Sequence, residues 1–93
     1  MQYIKKRSGE TVPFDKSKII KAISKANREL DEDLRISKHL IEAISEDIED
    51  VVSRSVITPS VEDVQDLVED YLIKYGAGEL AKTYIKYRYN RGQ

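Results

Sequence analysis

The sequence predicts an α+β fold, mostly α: a short N-terminal β-hairpin followed by four helices. Three observations carry the prediction. Two β-prone runs near the N-terminus are separated by Ser8-Gly9-Glu10. Four later stretches repeat apolar residues at helical spacing, and cap or break residues stand between them. Helices segregated from a small antiparallel sheet define this class.

Gln2-Tyr3-Ile4-Lys5-Lys6-Arg7 and Thr11-Val12-Pro13-Phe14 are the two extended runs, and the glycine between them reads as a hairpin turn. Pro13 has no N–H to give a ladder, so the second strand is an edge there. Asp15 suits an N-cap, because its carboxylate can accept from the exposed amides of the next turn. Ile19, Ile20, Ile23, Ala26 and Leu30 then set a first helix over roughly 15–30. Asp31-Glu32-Asp33 is a polar break. Ser37 is the next cap candidate, ahead of an apolar stripe through Leu40, Ile41, Ile44, Ile48, Val51 and Val52 with acids opposite. Before the third helix, Thr58-Pro59 puts proline at a first helical position, and Ser60-Val61-Glu62-Asp63 also reads as a capped start. Val61, Val64, Leu67, Val68, Tyr71, Leu72 and Tyr75 continue that helix, and Gly76-Ala77-Gly78 ends it through a left-handed glycine. Leu80, Ala81, Tyr84, Ile85 and Tyr87 run the fourth helix toward Asn90-Arg91-Gly92.

The chain has 93 residues and no cysteine, tryptophan or internal repeat. Such a chain buries roughly 60–65% of its unfolded surface, enough for one modest core and one domain over residues 1–93. A disulfide framework and a cysteine-ligated zinc are excluded, and the single histidine rules out any site needing two imidazoles. No apolar run approaches a membrane span and the N-terminal stretch lacks a signal-peptide core, so the sequence reads as a soluble, cytoplasmic domain. The net charge of −1 conceals a segregation: +6 over residues 1–28, −11 over 29–70 and +4 over 71–93. Two basic ends around an acidic middle suggest termini that meet and attract an anion. The alternative is that acidic helices simply attract basic ones.

Catalysis is poorly supported. His39 is the only imidazole, and at the start of an acidic amphipathic helix it reads as a solvated surface residue. Glu42, Glu46, Glu49 and Asp50 share helical spacing, but a solvated face explains them better than a metal. Gly76-x-Gly78-x-x-Ala81 matches the dinucleotide fingerprint by letter; it follows a helix rather than a strand, so a turn between helices fits better.

The N-terminal segment is more informative. A strand ending in Lys5-Lys6-Arg7, then a helix N-terminus bearing Lys18, makes a polyphosphate site from side chains plus helix dipole. Ile4 and Phe14 offer an apolar slot for a base. The competing reading is a basic hairpin that only packs on the first helix. On the fourth helix, Tyr84 and Tyr87 share a face with Arg88 and Arg91, a pattern suited to stacking and bidentate phosphate bonds. Tyrosines that finish a small core, with arginines flanking acids, are the alternative.

Ile4-Lys5-Lys6-Arg7-Ser8-Gly9, Val12-Pro13-Phe14-Asp15-Lys16-Ser17-Lys18-Ile19, Val64-Gln65-Asp66-Leu67-Val68-Glu69 and Ala81-Lys82-Thr83-Tyr84-Ile85-Lys86-Tyr87-Arg88, in that order, resemble the ATP-cone domain. That module stands at the N-terminus of many ribonucleotide reductases and forms part of the bacterial reductase repressor. The resemblance covers essentially the whole chain, and the Pro-Phe-Asp and Tyr-Arg forms are most similar to the cone of anaerobic, glycyl-radical reductases. It implies a β-hairpin lid over a four-helix bundle, with no catalysis of its own. The implied effector is ATP or dATP, with Mg2+, bound between lid and helices. The implied role is control of the activity and oligomeric state of a reductase, through self-association or contact with a catalytic chain. The parent, where there is one, would be a ribonucleoside-triphosphate reductase.

By the same resemblance the strand around Ile4 lies against adenine, and Lys6 and Arg7 hold phosphates. Val12, Pro13 and Phe14 wrap the nucleoside, and Asp15 accepts from the adenine amino group. Lys18 reaches phosphates, Ile19 and Val61 line the base or sugar pocket, and Arg91 or Arg88 completes the phosphate site. Gln65 stands where some members use a histidine near phosphates, Val61 where some use threonine, Ser8 where aspartate is commonest, and Val12 where some place a glutamate toward the ribose. Tyr84 and Tyr87 keep open a second nucleotide, as in cones that bind pairs. A small nucleic-acid-binding domain is the runner-up, disfavoured by the acidic middle, which would face a duplex at close range. A helical protein-interaction module is the third reading.

Overall fold

The computed structural model describes residues 2–91, with side chains through Tyr89. Strands β1 (Tyr3–Lys5) and β2 (Thr11–Pro13) form an antiparallel pair, with Ile4 opposite Val12. Gly9 makes the turn possible: it sits at φ +91°, and its N–H donates to the Lys6 carbonyl at 2.9 Å. That is a left-handed position a side chain resists. Three-residue strands are marginal alone, so the hairpin is held from outside. Ile4 and Phe14 pack against the helical core, and the Lys5 N–H donates to the Pro59 carbonyl at 2.9 Å, adding a parallel bridge to Ser60. β1 is thus flanked on both sides, and the proline-bearing β2 is the edge, as the sequence predicts.

Four helices follow: α1 (Lys16–Arg28), α2 (Lys38–Ser53), α3 (Val61–Lys74) and α4 (Gly78–Arg91). Each of the first three starts at a side-chain cap. Asp15 accepts from the Ser17 N–H and Ser37 from the Leu40 N–H, while Ser60 and Asp63 form a reciprocal capping box. Pro59 is therefore not the first helical residue; it lies one position before the cap, where its carbonyl serves β1. The capping box decides the start because it satisfies two backbone donors, and proline at the first position satisfies none. After α1, Arg35 donates to the carbonyls of Leu30 and Arg28 at 2.9 and 3.1 Å. Asn27 exchanges two 3.0 Å bonds with the Ile36 backbone. The polar break becomes a single 3-10 turn, Glu32–Leu34.

α3 ends as its glycine predicts. Gly76 is at φ +82°; its N–H donates to the Ile73 carbonyl, and the Ala77 N–H donates to that of Leu72 at 2.8 Å. This bond pair is a Schellman closure, with buried Ala77 and Leu72 as its apolar contact. The glycine pattern there is a helix stop and follows no strand. The helices pack in a ring, α1 against α2 and α4, and α3 against α2 and α4. Ile23, Ile44, Ile48, Val68, Leu72 and Leu80 are the largest of the fully buried apolar side chains. Ser45 is buried among them without penalty, because its hydroxyl donates to the Ile41 carbonyl at 2.9 Å. Among the described residues, no helix is long and apolar enough to cross a membrane.

Removing the Ser60 cap is expected to cost about 1 kcal/mol. A Ser60→Ala variant then melts about 4–8 °C below the parent, read by circular dichroism.

Candidate functional site

The hairpin, the first turns of α1 and α3, and the C-terminal half of α4 enclose one cleft in two parts. The inner part is a chamber of about 330 Å³, within the range of small-ligand pockets. Ile4, Val12, Pro13 and Phe14 of the hairpin roof it. Ile19 and Ala22 of α1 and Val61, Val64 and Val68 of α3 supply its apolar walls, and Asp15 stands at its edge. The outer part is a mouth of about 610 Å³, lined by Lys6, Arg7 and Ser8 from the hairpin, Lys18 from α1, Glu62 from α3, and Tyr87 and Arg88 from α4. Lys6, Lys18, Ala22, Val61, Gln65 and Tyr84 line both parts, so the two share a wall.

All the sequence-predicted site residues except Arg91 therefore meet at one cleft; the Arg91 side chain lies outside the described residues. Sequence reasoning missed Ser8, Ala22, Glu62, Val64 and Val68. Ala22 lies one helical turn after Lys18, and Val64 and Val68 continue the face of Val61, so helical periodicity carried a signal for those three. Glu62 gave none beyond its place in a capped first turn. His39 lies exposed on α2 and lines neither part.

Charge at the mouth is already partly paired. The Arg7 Nε donates to Glu62 Oε2 at 2.5 Å, and this bond holds the Glu62 carboxyl below its ordinary value. Arg88 donates to Asp66 at 2.8 Å and to Glu69 at 2.5 Å. Burial works against the Arg88 charge, but the two carboxylates outweigh it and raise its pKa. Arg88 thus lines the mouth as a braced group. Lys25 lies 5.5 Å from the centre of the Tyr87 ring, so one aromatic face is already in contact with a cation. Lys6 and Lys18 are exposed, and the structure gives Lys6 one loose ion pair, to Glu10 at 3.9 Å.

Asp15 caps α1 and lines the chamber. Its Oδ1 accepts from the Ser17 N–H at 3.0 Å and from the Ser17 hydroxyl at 2.6 Å, and these bonds lower its pKa. Both fall on one oxygen, so the other keeps its lone pairs for a further donor. Because the first turn of α1 lines the chamber, the positive end of its dipole adds to Lys6 and Lys18. Chemically, the arrangement is an apolar slot for a flat ring system that leads into a cationic opening for phosphates.

Comparison with known proteins identifies relatives and a family. The chain is 35% identical over 99 aligned residues to the alpha subunit of ribonucleoside-diphosphate reductase from Chlamydia trachomatis, covering 95% of the chain and 9% of that protein. It is 32% identical to the vitamin B12-dependent ribonucleoside-diphosphate reductase of Mycobacterium tuberculosis, covering 97% of the chain and 12% of that protein. It is 37% identical to the enzyme of the same name from Thermoplasma acidophilum, covering 92% and 11%. The chain thus spans about a tenth of the length of these relatives. All three names are of diphosphate reductases, and none carries the triphosphate class that the resemblance led us to expect. A family model described as the ATP cone domain matches residues 2–93. With its hairpin, its bundle and the cleft between them, the chain belongs to the ATP cone domain family, a regulatory domain of ribonucleotide reductases.

Proposed function

We propose that this cleft binds ATP or dATP as an allosteric effector and that its occupancy sets the activity and oligomeric state of a reductase catalytic chain. One observation carries the reading: an apolar chamber joined through a shared wall to a mouth bearing Lys6, Arg7 and Lys18. Adenine occupies the chamber beneath Ile4 and Phe14, and the triphosphate reaches the lysines and Arg7 from the α1 end. Among the described residues no group of three or more metal-ligating side chains stands together. Any Mg2+ is then carried chiefly by the phosphates, as is usual for this ion, with Glu62 as the one carboxylate lining the mouth.

Regulation needs more than binding. An effector shifts two arrangements only by its difference in affinity for them. The ion pair between Arg7 on the hairpin and Glu62 on α3 gives such a difference a location, since phosphates compete with Glu62 for the same guanidinium. A coupling of about 1–3 kcal/mol is typical of allosteric proteins. Isothermal titration with ATP, dATP and a short oligonucleotide tests the proposal. Saturable nucleotide binding supports it, and no heat from either nucleotide overturns it. A strongly salt-dependent signal from the oligonucleotide alone turns the reading toward nucleic acid.

A further inference from the structure

Charged residues make up 35% of the chain, yet Ser55-Val56-Ile57-Thr58-Pro59-Ser60-Val61, leading from α2 into α3, has none, the longest such run in the sequence. In that run Val56 is fully exposed and Ile57 is 81% exposed. Half-exposed Tyr3 of β1 lines a groove of about 220 Å³ together with Val56, Thr58, Pro59 and the buried Val52. Among the described residues the groove has no charged lining. Arg54 beside it is paired with Asp50 at 3.0 Å. The loop is held at both ends. The Ser53 hydroxyl donates to the Asp50 carbonyl at 2.7 Å and the Ser55 hydroxyl to that of Val51 at 3.1 Å, while the Pro59 carbonyl accepts the Lys5 N–H at 2.9 Å. A single exposed apolar side chain is ordinary. Neighbouring ones on a held, charge-depleted face carry the compositional mark of an interface core, and little ordering is left to be lost on docking.

The character and size of this face indicate its occupant. Without a cation it offers nothing to a phosphate or a nucleic acid, and its match is an apolar protein surface. Tyr3, Val56 and Ile57 present an apolar area on the order of a few hundred Å². Even mirrored on a second copy, that falls short of the ~1,200 Å² at which free-standing interfaces become stable. The face therefore suits a partner already held close, since a short tether supplies an effective concentration of about 1 mM. The relatives contain such a partner: the matched segment is 9–12% of each, and the rest of the polypeptide is joined to it.

We infer that Tyr3, Val56 and Ile57 form the face that docks on the catalytic body of a reductase chain, with an apolar side chain of that body entering the groove beside Val52. The inference rests on the reading of this domain as the regulator of such a chain. It concerns a surface apart from the effector cleft, because Val56 and Ile57 line neither chamber nor mouth. The test is an NMR titration of the isotopically labelled chain with the catalytic chain of the source organism's ribonucleotide reductase, stripped of its own cone, up to about 1 mM. The amide signals of Tyr3 and of residues 55–58 are expected to shift or broaden. Ile57→Asp puts a carboxylate into the apolar contact and is expected to weaken docking at least about tenfold, with melt and ATP affinity equal to the parent's. No change at these amides, changes confined to other surfaces, or undiminished docking of Ile57→Asp overturns the inference. Concentration-dependent shifts of the same amides in the chain alone make a second copy the occupant, and overturn it as well. ATP titrated into the parent reports on the cleft separately: docking without nucleotide binding leaves this face standing and removes only the effector reading.

Discussion

Lys6→Ala is expected to weaken ATP binding by about 10- to 100-fold, and Lys18→Ala by as much. Each ammonium lines both parts of the cleft and would meet a phosphate oxygen through a charge-assisted bond. Such bonds contribute roughly 1.5–3 kcal/mol, and each 1.4 kcal/mol is about tenfold in affinity. The fold should not suffer. Both side chains are exposed, and the one ion pair shown for Lys6 is the loose contact with Glu10, the kind of surface pair that adds little. Arg7→Ala is expected to have a smaller effect, because the guanidinium must first leave Glu62. Calorimetric titration at fixed salt, with a circular dichroism melt of each variant, separates lost binding from lost structure. If ATP affinity is unchanged in both lysine variants, the phosphate assignment is wrong.

The largest loss of stability is expected from Leu72→Ala. Leu72 is fully buried on α3, and its backbone carbonyl accepts the Ala77 N–H that closes the helix before α4. Truncation removes the transfer energy of the lost methyl groups and leaves a cavity, together about 2–5 kcal/mol. A domain of this size has about 5–15 kcal/mol in total. At about 4–8 °C per kcal/mol the midpoint falls by at least about 8 °C. Ile57→Ala is the control: Ile57 is 81% exposed, so its melt should be unmoved. A Leu72→Ala midpoint within 2 °C or so of the parent would mean that the α3–α4 corner relaxes into the space.

Local rules made most of the fold legible. Asp15, Ser37 and Ser60 announced their helices because a cap acts within three residues, and Gly9 and Gly76 marked the left-handed turns. The same rules offered both Pro59 and Ser60 as starts of α3, and the reciprocal Ser60–Asp63 bonds decide for Ser60, while the Pro59 carbonyl serves β1. At the site, the hairpin and α1 residues were legible from composition and spacing, and the cleft gathers them with Val61, Gln65 and Tyr84. The alternative of arginines flanking acids holds for Arg88, but the particular partners were not legible. Arg7 meets Glu62 across 55 positions, and Arg88 meets Asp66 and Glu69 across 22 and 19. Which acid faces which arginine depends on how the helices cross, and no short-range pattern encodes that. Pairing of Arg7 and Arg88 is therefore the main structural addition to the sequence picture of the phosphate site.

The bond between Lys5 and Pro59 has a mechanical consequence. A two-stranded flap joined only at its own ends would swing on a simple hinge. Here its inner strand is stitched to the residue that leads into α3, so tilting the flap tugs the first turn of that helix. Movement at the roof is thereby geared to the bundle, and the gear tooth is one peptide group.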